Sequence, residues 1–321
     1  MWSPKIAAAV LAFVGASNAW APPSYSGYNL VWSDAFAGNG GSSPNTGNWN
    51  IITGYLNVNG EQETYSSSTQ NVQLSGGNTL QIVPWNNGGS WTSGRLESTY
   101  TFTPGAGKVT AVEASIRFGT NAPGNQQGMW PAFWMLGNSI RTGGGWPACG
   151  EIDIMEVVND QSTGHGTIHC DVYPGGICNE GNGIGGSTNI NGANTNFHTW
   201  RVQIDRTPSS WQSETITFFL DGAQYFQVAG SRINNQNVWN SLAHSPLYII
   251  LNVAVGGSFV CIPFSAHLPY TTQVTNMRTA RKHQRQHPRW LRQHDGGWLR
   301  RPVLHLKELL SYSTSLRDAI S

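Results

Sequence analysis

Between residues 28 and 255 the chain is a succession of short β-prone segments, each cut off by Gly, Asn or Ser. Helical periodicity is nearly absent before residue 260. Strands are predicted over 28–32, 72–74, 79–83, 109–116, 128–135, 151–157, 165–170, 198–204, 216–220 and 248–255. Gly76-Gly77-Asn78, Asn87-Gly88-Gly89 and Asp221-Gly222 mark turns between them, the last as a two-residue hairpin loop. About a dozen antiparallel strands imply two stacked sheets. The fold class predicted is therefore all-β, a β-jelly-roll sandwich of two antiparallel sheets with a concave cleft.

Composition narrows the partners. Hydrophobic residues make up 39%, enough to exclude disorder, and a net charge of +1 gives no electrostatic case for nucleic acid. Lys5, the apolar run 6–15 and Ser17-Asn18-Ala19 read as a signal peptide over residues 1–19. The run is too short to span a bilayer, so the expectation is a secreted, monomeric protein with no membrane partner. In that setting Cys170 and Cys178, flanking a Pro-Gly-Gly loop, are expected to pair. Cys149 is expected to be a buried free thiol. No Asn-x-Ser/Thr acceptor and no Cys/His zinc spacing occur.

The chemistry concentrates in Gly150-Glu151-Ile152-Asp153-Ile154-Met155-Glu156, in a chain with only 17 acids among 321 residues. On a regular strand Glu151 and Asp153 share a face and Glu156 points away. One extra residue, a bulge around Ile154 or Met155, returns Glu156 to that face. Two inward-leaning glutamates then approach the separation of about 5–5.5 Å that a retaining glycosidase needs, with Asp153 tuning both. A solvated strand face is the bland alternative. Lining up like charges costs stability, and the intervening residues are apolar, so the catalytic reading is preferred.

Aromatic residues crowd the same region. Trp130 and Trp134 stand four apart in Trp130-Pro131-Ala132-Phe133-Trp134-Met135-Leu136, and Trp146-Pro147 precedes the acids. Flat rings suit the apolar faces of sugars, so Trp134 and Trp146, and with less force Trp130, are expected to contact substrate. Core packing is the competing reading for any single Trp.

These residues resemble glycoside hydrolase family 16, most closely its fungal endo-β-1,3(4)-glucanase and laminarinase branch. Further likenesses follow in order: Val31-Trp32-Ser33-Asp34, Asn59 to Gln62 with Tyr65, Ser93-Gly94-Arg95, Val112-Glu113-Ala114, Thr167-Ile168-His169, and Leu251 to Gly257. The resemblance implies a retaining endo-glycosidase acting on β-glucan, with Glu151 as nucleophile, Glu156 as general acid/base and Asp153 assisting. It places Asn59, Arg95 and His169 among the polar contacts to sugar, His169 equally as a wall residue. The six-residue acidic spacing resembles the laminarinase-like branch, which argues for β-1,3- or mixed β-1,3/1,4-glucan. No cofactor is required; the structural calcium common in the family is doubtful here.

The chain also departs from the pattern. Ala35 stands where the family commonly has Glu. After Phe259 no closing strand of the family type follows. Residues 260–321 hold 10 of the 18 Lys and Arg and 5 of the 9 His but only 3 acids. They are expected to be a basic tail, frame-shifted or disordered, with at most a short helix over 303–310. The catalytic domain is then residues 20–259, lacking one strand of its own sandwich. The rival readings are a transglycosylase on the same site, a dead glucan-binding jelly roll, and a chain that does not fold.

Overall fold

A computed structural model describes residues 22–119, 126–159 and 162–260, and the backbone of 301–310. The expected signal peptide and most of the basic tail lie outside the described residues. Two large sheets dominate. One, the cleft sheet, has seven strands in the spatial order Ile184–Asn189, Thr163–His169, Glu151–Glu156, Met129–Gly137, Leu247–Val255, Arg95–Phe102 and Trp49–Ile51. Every neighbouring pair in it is antiparallel.

The second, outer sheet has eight strands. Its path runs Ala223–Ala229, Thr215–Leu220, His198–Asp205, Val109–Arg117, Arg301–Leu310, Leu80–Ile82 and Val72–Leu74, with Tyr28–Asp34 paired beside Arg301–Leu310. Inward residues of both sheets form one core: Phe133, Ile152, Met155 and Leu251 from the cleft sheet meet Val112, Trp200, Val202 and Phe218 from the outer one. Leu247–Val255 is buried at all nine positions, as a run interrupted only by the amide of Asn252 and flanked by strands on both sides requires. The jelly-roll sandwich expected from the sequence is thus the observed architecture.

Local chemistry accounts for the hairpin and the crosslink. Asp221 and Gly222 both take positive φ and join Leu220 directly to Ala223. Cys170 and Cys178 are disulfide-bonded, and Cys149 is free and buried. The sequence reading missed the eight-residue strand Arg95–Phe102, whose polar residues hide its alternation, and the helix Gln236–Ala243. That helix is capped by the Asn235 side chain, which accepts from the N–H groups of Asn237 and Val238.

The tail holds the largest difference from expectation. Arg301–Leu310 is a strand, not a short helix, and it lies between Val109–Arg117 and Leu80–Ile82 in the outer sheet. It runs parallel to Tyr28–Asp34, Leu80–Ile82 and Val109–Arg117, in a sheet whose other pairings are antiparallel. An isolated eight-residue helix is marginal in water. Two buried strand edges offering unpaired N–H and C=O groups are a stronger partner. Leu80–Ile82, Val72–Leu74 and Tyr28–Asp34 reach the rest of the outer sheet only through this strand. Ending the chain after Val260 should therefore lower the melting midpoint by about 10 °C or more and promote aggregation. Melting and light-scattering curves beside the full chain test this, and an unchanged midpoint would remove the strand's structural role.

Candidate active site

The cleft floor is one face of the cleft sheet. On Met129–Gly137 the two-residue period holds without interruption: Trp130, Ala132, Trp134 and Leu136 line the cleft while Met129, Phe133 and Met135 enter the core. The neighbouring strand breaks its period. Trp134 pairs with Asp153 and Phe133 with Met155, which leaves Ile154 as an extra residue. Ile154 and Met155 are both fully buried, and Glu156 returns to the face of Glu151 and Asp153. The expected bulge is present.

Gly150 sets the start of this strand. Its φ is +81°, and a Cβ there would lie 2.5 Å from the carbonyl oxygen of Ser241. Both a left-handed backbone and the close approach require glycine. Gly150→Ala should cost about 3 kcal/mol through strain and overpacking, measured by denaturant unfolding. A loss under about 0.5 kcal/mol would refute the packing argument.

Eight of the nine residues singled out in the sequence line one cleft of about 420 Å³: Glu151, Asp153, Glu156, Trp130, Trp134, Trp146, Asn59 and Arg95. His169 does not line it but borders it, with Nε2 3.4 Å from Asp153 and 4.0 Å from Glu151. The tryptophans do more than offer flat faces. Trp130 Nε1 donates to Glu156 at 2.9 Å, and Trp146 Nε1 donates to Glu151 at 3.2 Å. Trp134 lies under the Arg95 guanidinium, 5.0 Å from ring centre to Cζ, and Arg95 is itself paired with Glu97.

Four residues were not singled out as site residues from the sequence: Asn252, Tyr65, Glu61 and Glu180. Trp134 Nε1 donates to Asn252, the Asn252 amide donates to Tyr65, and the Tyr65 hydroxyl donates to Glu61, which also accepts from Asn59. Asn252 was detectable as a lone amide inside an apolar strand, and Glu61 lies within the Asn59 to Gln62 motif. Glu180 gave no such signal. It sits in a Gly-rich loop, takes His169 Nδ1 at 2.6 Å and accepts the Cys170 N–H at 2.7 Å.

Electrostatics follow from burial. Loss of solvent, with the Asp153 charge adding to it, pushes Glu156 up to about 8. Glu151 is driven well above the usual carboxylate range by the same two causes, opposed by His169 and the Trp146 N–H. Burial disfavours an imidazolium at His169, but hydrogen bonds to Asp153 and Glu180 and the nearby acids overcome it and raise its pKa to about 11. Burial and Glu63 push Glu61 up to about 8.

Ligand atoms of Glu151, Asp153 and His169 lie within 4.8 Å of one another, a spacing suited to a cation. His169 already hydrogen-bonds Glu180 through Nδ1 and faces Asp153 through Nε2, and calcium prefers oxygen ligands alone. Two carboxylates and an imidazole are a poor match for calcium.

Glu61 and Glu156 bind a proton more tightly when folded than the ordinary glutamate value of 4.5 allows. Their contribution to stability is complete below about 4.5 and disappears as the pH rises to about 8. His169 acts with the same sign between about 6.5 and 11. The melting midpoint should fall steadily from about pH 5 to pH 9, and Glu61→Gln should make that fall shallower up to about pH 8. A midpoint that rises over this range would contradict the buried-acid picture.

A jelly-roll cleft floored by tryptophans, with two indole-held glutamates on one bulged strand, is the site of a glycoside hydrolase. A model described as the XgeA-like, catalytic GH16 domain matches residues 57–221, just over half the chain, and the chain belongs to glycoside hydrolase family 16. It is similar to a crystal structure of an endo-1,3-beta-glucanase from Streptomyces sioyaensis, at 40% identity and a TM-score of 0.70, over 75% of this chain and 90% of that one. The laminarinase from Rhodothermus marinus superposes with a TM-score of 0.57 at 30% identity, covering 73% of this chain and 88% of its own. A glucan endo-1,3-beta-glucosidase A1 from Niallia circulans is 28% identical over 80% of this chain, which spans only 38% of that longer protein. All three are bacterial; they support the laminarinase likeness and not its fungal branch.

Proposed function

We propose that the protein is a secreted retaining endo-β-glucanase acting on β-1,3- or mixed β-1,3/1,4-glucan. The observation that carries this reading is the bulge at Ile154, which puts Glu151 and Glu156 on one cleft face with an indole N–H on each. Glu156 is the general acid. Burial and the Asp153 charge hold a proton on it at neutral pH, and it passes that proton to the leaving glycosidic oxygen. With the proton held on Glu156, Glu151, the glutamate nearer to His169, is the ionised partner and attacks the anomeric carbon as the carboxylate. The exocyclic C–O bond breaks as the glycosyl-enzyme ester forms. Water, deprotonated by Glu156, then cleaves the ester, restoring both residues with net retention. The reaction runs on carboxylates and water alone.

The substrate assignment draws on the six-residue acidic spacing and on relatives named for β-1,3-glucan. The leader-like residues 1–19 support secretion, as does the disulfide, a bond that persists in oxidising compartments. Among the described residues no helix is long and apolar enough to cross a membrane. We take the working unit to be a monomer.

Glu151→Gln and Glu156→Gln should each reduce release of reducing ends from laminarin and lichenan by about a thousandfold or more, with melting midpoints retained. The kcat/KM profile of the parent should fall above about pH 8 as Glu156 loses its proton. Release that survives Glu151→Gln would refute the nucleophile. A folded parent that releases nothing from laminarin or lichenan would refute the hydrolase.

A further inference from the structure

Beyond the cleft the structure exposes a small apolar platform that the catalytic reading does not use. The loop closed by the Cys170–Cys178 disulfide carries Val172, Tyr173 and Ile177, and Tyr173 is 61% exposed. Its ring centre lies 6.0 Å from that of Trp146, whose indole in turn lies 5.7 Å from His169 and donates to Glu151. Trp146 is itself 42% exposed and lines the cleft. Tyr173 thus stands beside Trp146 just outside the cleft, at its Glu151 end.

The loop is built to hold this ring still. The disulfide closes it, Gly175 and Glu180 exchange backbone hydrogen bonds across it, and Asp171 accepts the Ile177 N–H. Glu180 then ties its base to His169 and to the Cys170 N–H. An aromatic ring that leaves the core on a stiffened loop, beside a binding cleft, marks a binding surface. A flat, half-polar ring at that place suits one chemistry in particular, the apolar face of a pyranose.

We propose that Tyr173 forms a further sugar subsite, a platform for at least one additional glucosyl unit of a β-glucan chain leaving the cleft past Trp146. The proposal rests on the glucanase reading for its ligand, and it makes Tyr173 a determinant of chain-length preference. Substrates too short to pass Trp146 gain nothing from it; longer ones gain one stacking contact, so affinity climbs with length.

Binding without turnover separates this proposal from the catalytic one. Linear β-1,3-gluco-oligosaccharides of about three to seven units are titrated calorimetrically into Glu151→Gln protein, alone and with Tyr173→Ala or Tyr173→Phe added. Affinity should climb with length in the parent. Tyr173→Ala should weaken the longest ligand about tenfold and flatten the climb, while Tyr173→Phe keeps it. A Tyr173→Ala profile that matches the parent, or one weakened equally at every length, would overturn the subsite. Length-dependent binding lost in Tyr173→Ala, from a protein whose wild type hydrolyses nothing, would support the platform and refute only the hydrolase. No binding at any length would overturn both.

Discussion

Three carboxylates on one face of one strand, drawn out of water, are the constraint that the cleft is organised around. Placed side by side and ionised they would repel strongly, more so as the dielectric falls. The chain answers this in two ways. Protons stay on buried acids to high pH, and a single imidazolium, His169, is fixed beside Asp153 and Glu151 by Glu180 on its other nitrogen. Glu180 is thus more than a surface acid in a Gly-rich loop. Removing it would release the ring and leave the Cys170 N–H without its acceptor, so charge balance and loop geometry are set by one side chain.

The same economy governs the tryptophans. An indole N–H neutralises nothing, but it orients a carboxylate and satisfies one of its lone pairs at little cost in entropy. Trp130 and Trp146 do this for Glu156 and Glu151, one from a neighbouring strand and one from a loop. Trp134 spends its N–H on Asn252 instead, and through Tyr65 and Glu61 that bond reaches Asn59 on the cleft wall. An indole on the cleft floor and an amide on the cleft wall are therefore joined by one continuous chain of hydrogen bonds.

Much of this was legible from local pattern alone. The bulge was readable because period two is strict and Glu156 fell out of phase, and the disulfide because two cysteines flank a Pro-Gly-Gly turn. Long central strands such as Leu247–Val255 announced themselves by an apolar run broken only at Asn252. What escaped depends on partners far away in the chain. Arg95–Phe102 alternates Leu96 and Ser98 inward, and Ser98 is buried because its hydroxyl takes the Ile249 N–H and donates to the Tyr100 carbonyl. Asn252 bonds Tyr65 across 187 residues, a pairing with no local trace.

The tail strand is the extreme case of the same lesson. Nothing within residues 301–310 demands a strand: a Pro stands second, and Leu-Lys-Glu-Leu-Leu suits a helix as well. The demand comes from outside, from Val109–Arg117, whose backbone is buried along nearly its whole length and must find hydrogen bonds on both sides. His198–Asp205 satisfies one side, and a segment of any sequence that brings extended, apolar-tolerant backbone satisfies the other. That pairing is parallel because the slot constrains spacing and hydrogen bonding more strictly than direction. The sandwich thus specifies a vacancy for a strand more firmly than it specifies which residues fill it. The acids, on the far face of the cleft sheet, are joined to that vacancy by the core that Ile152 and Met155 share with Val112 and Trp200.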